Sequence, residues 1–410
     1  MISDKSGETE RHLSQLRLLL EELCCDLCLF DHVAEGTAPP ERIVVDREVP
    51  LEETGAFADI RVTAPGQAPY FVEIKYAYTR EQIRTHLRRK YGRLGPESRG
   101  ASRVVVVVDA DDETAEQELK PDLREQIHPS LEVQLWTEAR LRALIRQRFG
   151  VEVRSISEED LLEARVAIDR AKGFYAFGGQ SPETYVNDPL RSELLFHFDF
   201  WRLRQLREAH SLAPQDILRT GAYDSVAVVL SDLCSFSGYV RDTPEQDLIR
   251  HCLTSFYSKA RYEIIKKGGM LYQIIGDSVV GLFGIPDRRA DSLRDALLAA
   301  RGLMSVSASV SHHWQRHIDH LQPASGCRIG IALGDLQIVS YRPFSRTHIG
   351  AISDAINIAA RLQKVAEPNE VVVSNTFYSQ LDPVLQAPFR EMEPVEAHNL
   401  GRIRAWKLPA

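Results

Sequence analysis

The sequence has no surplus of positive charge. Its 50 Lys and Arg are outnumbered by 58 Asp and Glu, for a net charge of -8 and a pI near 5.9. That excludes a chain built chiefly to coat nucleic acid. Cysteine is scarce. The six are Cys24, Cys25, Cys28, Cys234, Cys252 and Cys327, and they form no disulfide framework, as expected of a reducing cytosol. Cys25 and Cys28 make a CxxC, but no second ligand pair follows, and they lie in LRLLLEELCCDLCLF, where apolar residues recur at helical spacing. Buried helix thiols are therefore expected. That run is too short and too charged to span a bilayer, and the polar, acidic N-terminus does not read as a signal peptide. Internal repeats and low-complexity tracts are missing, which excludes solenoid architectures. The expectation is a cytoplasmic chain without a membrane partner, long enough for two or three domains.

What is present divides into three stretches. Residues 1–153 read as an α/β domain: a helix over 10–29, strands around 42–46, 58–63 and 70–76, and a helix over 81–90. SRVVVVVDA follows as a buried central strand, then VEVQLW and the basic helix EARLRALIRQRF. Residues 154–222 read as a helical, charged linker or dimerisation segment, with an aromatic stripe over 191–210 that must pack on something. Residues 223–410 read as a second α/β domain. SVAVVLSD is a buried strand ending in an acid. A long helix closed by glycine leads into the hairpin GGMLYQIIGDSVVGLFG. Another helix follows. CRIGIALGDLQIVS reads as two strands around a turn, SDAINIAARLQKVA as a helix and NEVVVSN as a strand.

The chemistry lies in two acids. Asp232 ends an apolar strand, and Asp277 interrupts an apolar hairpin. A lone buried carboxylate is costly. Two on adjacent strands repel each other, and a divalent cation between them relieves both. The turn after Asp232, with Ser235, Phe236 and Ser237, starts a helix whose backbone N–H groups suit phosphate oxygens.

VVLSDLCSFS, then GGMLYQIIGDSVVGLFG, then SDAINIAARL, in this order over roughly residues 223–408, resemble the class III nucleotidyl cyclases. The resemblance implies an α+β fold, with a ferredoxin-like core carrying an extra hairpin and helices. It implies two divalent cations, Mg²⁺ or Mn²⁺, held by Asp232, the Leu233 carbonyl and Asp277. It implies that Asn357 orients the ribose and that Arg361, one helical turn on, stabilises charge on the α-phosphoryl group. Arg402 or Arg404 would touch the outer phosphates. In this family the acids and the Asn/Arg helix come from opposite subunits, which implies a homodimer with two composite sites.

The family reads the base with two positions. Adenylyl members resemble one another in a lysine, and guanylyl members in a glutamate, at the place of Gln273. The partner position, seven residues before Asn357, is Gly350 here. Neither purine pair is present. An amide both donates and accepts, which matches the edge of uracil, or of cytosine if flipped, and Tyr272 fills space beside a smaller base. The chain thus looks like the bacterial pyrimidine cyclases of Pycsar antiphage systems. That resemblance implies a lyase acting on UTP, or CTP, whose cyclic nucleotide reaches an effector, with a phage-derived activator. An adenylyl cyclase with relaxed base reading is the alternative.

In the N-terminal stretch, ADIRV and PYFVEIKYA supply Asp59, Glu73 and Lys75, which resemble a PD-(D/E)xK nuclease pattern. The resemblance implies a restriction-endonuclease-like domain, catalytic or regulatory. A salt-bridged strand surface is the plain alternative. A second class of function stays open on these grounds: a nucleic-acid-binding protein whose cyclase fold is a degenerate sensor.

Overall fold

The computed structural model describes residues 2–34, 42–51, 56–96, 98–182, 184–318, 320–341, 348–397 and 401–409. The chain divides into two compact units, 1–186 and 187–410.

In the first unit, strands β1 (Val44–Leu51), β2 (Ala56–Thr63), β3 (Tyr70–Ile74), β4 (Arg103–Val107) and β5 (Glu132–Trp136) lie in sequence order. β1, β2 and β3 pair antiparallel, and β3, β4 and β5 pair parallel. β4 is the all-apolar run, buried from Val104 to Val108, as a central strand covered on both faces must be. The longer α-helices are α1 (Ile2–Ala34), α2 (Arg80–Tyr91), α3 (Lys120–Gln126), α4 (Glu138–Phe149) and α5 (Glu158–Phe177). A capping box between Thr79 and Gln82 starts α2. The three cysteines of α1 are free and buried, and burial pushes the Cys28 thiol up to about 12.

The second unit is an eight-stranded sheet in the order β12-β13-β11-β9-β6-β8-β7, with β10 pairing off β9. The strands are β6 (Gly221–Leu233), β7 (Met270–Ile275), β8 (Ser278–Phe283), β9 (Cys327–Tyr341), β10 (His348–Ile352), β11 (Val371–Ser374), β12 (Arg390–Ala397) and β13 (Gly401–Leu408). Its longer helices are α6 (Pro189–His197), α7 (Phe200–His210), α8 (Phe236–Asp242), α9 (Gln246–Lys266), α10 (Ser292–Ile318) and α11 (Asp354–Val365). Alternation along the strands sorts the helices to two faces. Val371 and Val373 join the core with Phe256 and Ile264 of α9 and Leu303 of α10, while Val372 packs with Leu362 of α11. α11 lies so close to β9 that a Cβ at Gly330 would stand 2.0 Å from the Ala359 carbonyl oxygen; only glycine fits there.

Three sequence expectations change. CRIGIALGDLQIVS is one strand, because β6 pairs along it from Leu233 opposite Cys327 to Gly221 opposite Ile338, and β6 absorbs the irregularity between Tyr223 and Val226. The aromatic stripe is two helices. Phe198 is extended, with φ -131° and ψ 157°, and the Asp199 carboxylate accepts from the Trp201 N–H to start α7. The stretch 154–222 is divided: α5 lies in the first unit, α6 and α7 in the second. No described helix is long and apolar enough to cross a membrane.

Candidate active site

Antiparallel pairing of β6 with β8 sets Asp232 opposite Ser278. Asp277 precedes Ser278 in the turn after β7, where Gly276 has φ +59°. The turn is tied to β6 by the Leu233 N–H, which donates to the Asp277 carbonyl at 3.4 Å. The Ser278 hydroxyl donates to Asp232 Oδ1, and the Gln363 amide of α11 donates to Oδ2 at 3.4 Å. Burial, and then the Asp232 carboxylate beside it, push Asp277 up to about 6.

The same register adds a residue that sequence reasoning missed. Arg328 of β9 stands directly opposite Asp232, so Ser278, Asp232 and Arg328 form a row across three strands on one face. Arg328 is half-buried; burial pushes the nearby Cys234 thiol up, and the Arg328 charge opposes that shift. The signal was an Arg in the strand CRIGIAL, but only the pairing register gives it a neighbour.

The acid pair suits a divalent cation in its donor chemistry. Two hard carboxylates, one of them destabilised by the other, match what Mg²⁺ and Mn²⁺ prefer. No cluster of three or more Asp, Glu, His or Cys side chains among the described residues could hold a metal by itself. The remaining ligands must be backbone oxygens, such as the Leu233 carbonyl, water or phosphate.

In the turn after Asp232, Ser235 adopts φ +57°. Its hydroxyl accepts from the Ala324 N–H at 3.1 Å, and the Phe236 ring packs edge-on against Trp314 with centroids 6.3 Å apart. These side chains are engaged internally. Ser237 is exposed, and the first N–H groups of α8 have no carbonyl one helical turn back to meet.

Tyr272 is an extra residue in β7. Leu271 pairs with Gly281 and Gln273 with Val280, so a bulge falls between them. Bulges re-aim side chains. The Tyr272 hydroxyl accepts from the Ala351 N–H at 2.8 Å, which ties β7 to β10 immediately beside buried Gly350. Gln273 is exposed. The structure therefore brings Tyr272 and Gly350 together, next to Gln273.

Asn357 and Arg361 are both exposed on α11, whereas Gln363 is buried and reaches Asp232. At 100° per residue, Arg361 and Gln363 point about 160° apart around the helix. Within one chain, then, α11 offers Gln363 to the acid pair and turns Asn357 and Arg361 away. Arg402 and Arg404 are exposed on β13 and paired to Glu396 at 3.1 Å and Glu391 at 2.7 Å. β11 and β9 lie between β13 and β6, so neither arginine joins the acids within the chain.

In the first unit Asp59, Glu73 and Lys75 do converge. Lys75 Nζ lies 3.0 Å from Asp59 Oδ2 and 2.7 Å from Glu73 Oε2. Two residues of α2 join them. Lys90 Nζ lies 3.1 Å from Asp59 Oδ1 and 2.6 Å from Glu73 Oε2, and the Tyr91 hydroxyl donates to Glu73 Oε1 at 2.6 Å. Burial would raise the Asp59 carboxyl, but Lys75 and Lys90 outweigh it and hold the group well below the usual range.

Residues 218–408, just under half of the chain, match the family model of the adenylate and guanylate cyclase catalytic domain. The match is to that catalytic domain alone and lies wholly within the second unit. Among solved structures, it is similar to the adenylyl cyclase CyaB from P. aeruginosa, at 19% identity and TM-score 0.40 over 47% of this chain and 97% of that one. It is also similar to the guanylyl cyclase Cya2, at 20% identity and TM-score 0.40 over 46% of this chain and 94% of that one. The guanylate cyclase domain of RhGC from Catenaria anguillulae is 16% identical, with TM-score 0.36 over 46% of this chain and 98% of that one. No protein of curated function matches the sequence.

Proposed function

We propose that the chain converts UTP to 3′,5′-cyclic UMP and diphosphate, as the second-messenger generator of a bacterial antiphage system. The observation that carries the choice of base is the Tyr272 hydroxyl bonded to the backbone beside Gly350, with Gln273 as the neighbouring reader. A phenol ring at that place shortens the room for a base, and an amide can pair with the O–N–H–O edge of uracil. Cytosine is served by the flipped amide, and CTP is the second substrate on this reading.

Two divalent cations, when bound by Asp232, Asp277 and the Leu233 carbonyl, would supply charge neutralisation and lower the pKa of the ribose 3′-hydroxyl. The chain's own groups do the rest. The N–H groups of Phe236 and Ser237 hold phosphate oxygens. Arg328, opposite Asp232, meets triphosphate charge that the acids cannot. Asn357 orients the ribose. Arg361 stabilises the α-phosphoryl group as the 3′-oxygen bonds to phosphorus and the bond to diphosphate breaks. Asn357 and Arg361 come from a second copy, because within one chain they face away from the acids. Exposed Ile275, 55% accessible, and Ile352, 65% accessible, lie beside the base-reading strands and suit burial by that copy. Arg402 and Arg404 would serve the outer phosphates only across such a dimer. The cyclic product acts through a separate effector, and the first unit senses the activator, a phage component.

Incubation of the full chain with each of ATP, GTP, CTP and UTP and Mn²⁺, with products resolved by chromatography, tests the reading. Cyclic UMP is the expected main product. Cyclic AMP as the main product overturns the base assignment alone. No product from a verified dimer favours a nucleotide sensor over an enzyme. Gln273→Lys is expected to abolish pyrimidine turnover and shift any remainder toward ATP, because an ammonium can donate to adenine N1 but cannot accept from uracil N3–H.

A further inference from the structure

The bulge that presents Tyr272 and Gln273 is held from outside the sheet. His197, the last residue of α6, places its ring Nδ1 within hydrogen-bond distance of the Leu271 carbonyl oxygen. Leu271 is the residue on the N-terminal side of the bulge. A carbonyl can only accept, so Nδ1 carries the proton and the bond fixes the ring's tautomer. At a bulge the ladder is locally broken and one residue, here Tyr272, is left without its pair; β7 is also the edge strand of its sheet, and the imidazole N–H meets the carbonyl of the residue beside the bulge.

His197 is itself held. The Arg261 Nε of α9 donates to the Phe196 carbonyl at 2.8 Å, and its terminal nitrogen donates to the Leu195 carbonyl. The guanidinium also lies 5.5 Å from the Phe196 ring centroid. Arginine at a helix C-terminus satisfies carbonyls that have no intrahelical donor. Glu193, one turn back on α6, has a carboxylate oxygen 4.0 Å from His197 Nε2. The ring is mostly buried, with 12% of its side chain accessible.

We infer that His197 is a positioning residue for substrate choice: its bond to the Leu271 carbonyl sets the bulge and so aims Tyr272 at Ala351 and Gln273 at the base. The inference rests on the base-reading role proposed for Tyr272 and Gln273. Nothing in it requires His197 to touch the nucleotide. Its consequence is that the segment entering the cyclase domain, and not only the pocket lining, governs which base is read.

The test compares full-length His197→Leu and His197→Asn with the native chain, by steady-state kinetics on UTP and by product ratio in a mixture of UTP and ATP. An asparagine amide can donate from nearly the place of Nδ1, whereas leucine cannot. His197→Leu is expected to raise KM for UTP about tenfold with kcat within about threefold, and to admit cyclic AMP among the products, as loss of one positioning hydrogen bond does. His197→Asn is expected to restore KM and product ratio to within about threefold of native. Asparagine as impaired as leucine overturns the inference, as does a leucine variant with native KM and product ratio. Should the leucine variant not fold, the asparagine variant decides by itself: a tenfold rise in its KM is the overturning result. Gln273→Lys runs in parallel. If it leaves the product ratio unchanged, the base-reading proposal has failed. If it shifts the ratio while His197→Leu does not, only the role of His197 has failed.

Discussion

The two units each bring a pair of carboxylates together, and the two pairs are solved in opposite ways. Asp59 and Glu73 share two ammonium groups, Lys75 and Lys90, and Glu73 takes a further bond from Tyr91. Their charge is closed internally, two negative against two positive. Asp232 and Asp277 have no ammonium or guanidinium within ion-pair distance among the described residues; they have a serine hydroxyl, an amide and each other. The titration directions follow. Asp59 is held below the ordinary range because two cations outweigh its burial. Asp277 is driven up to about 6 because burial and a second carboxylate act together. One pair has its cation built in, and the other is left wanting one. A close acid pair is thus evidence of a metal site only when the neighbouring bases are counted.

The largest effect expected from this contrast is on Asp277→Asn. Turnover should fall on the order of 10³-fold with the fold intact, since the cation loses a ligand that its chemistry needs. Stability should move the other way. Asp277 in its protonated form adds stability that is fully present below about pH 4 and is lost as pH rises through about 6, so at neutral pH the pair carries repulsion. Mn²⁺ or Mg²⁺ should therefore raise the melting temperature of the native chain, by more at pH 7 than at pH 4.5, and should do nothing for Asp277→Asn. Retained turnover, or an equal metal effect in both proteins, removes the two-metal assignment.

The opposite is expected in the first unit. Glu73→Ala deletes a fully buried acid and strands Lys75 and Lys90 around Asp59. Breaking a buried ion pair from one side costs about 3–5 kcal/mol, read as a lower denaturation midpoint for this unit. The native cluster should also weaken in acid. Asp59 is depressed, so its contribution is present above its ordinary pKa near 4 and is lost as pH falls below it. A Glu73→Ala chain as stable as native would mean that the cluster is a solvated surface rather than a closed network.

Much of the candidate site was legible in the sequence, because it depends on local patterns. Asp232 ends an apolar strand, Asp277 sits in a hairpin turn, and Asn357 and Arg361 are spaced to share a helix face. The rest depends on register, which a single sequence does not carry. Arg328 matters only because it is opposite Asp232. Tyr272 is aimed by a bulge that period-two alternation cannot anticipate. Gly334–Asp335 looked like a turn, yet pairing with β6 and β10 on either side keeps β9 straight through it. In the first unit, Asp59, Glu73 and Lys75 were legible as a pattern, but Lys90 and Tyr91 were not. They come from helix α2, and only the packed structure shows Lys90 reaching inward.

Lys90 gives the smallest and sharpest test of the comparison. Its side chain is 12% accessible, and its ammonium bridges Asp59 Oδ1 and Glu73 Oε2, which is where a divalent cation would bridge them. Lys90→Met keeps the aliphatic stem that packs along the helix and removes one of two positive charges. The acid pair then resembles Asp232 and Asp277, with Lys75 alone to neutralise it. The native first unit should show no stabilisation by Mn²⁺. In Lys90→Met, Mn²⁺ at about ten times its dissociation constant should return about 1.4 kcal/mol by linkage, visible as a shift in the first unit's melting transition in a chain that also carries Asp277→Asn. If Mn²⁺ stabilises the native first unit as much as the Lys90→Met unit, the built-in cation is not what separates the two acid pairs, and the first unit should be assayed as a metal-dependent nuclease.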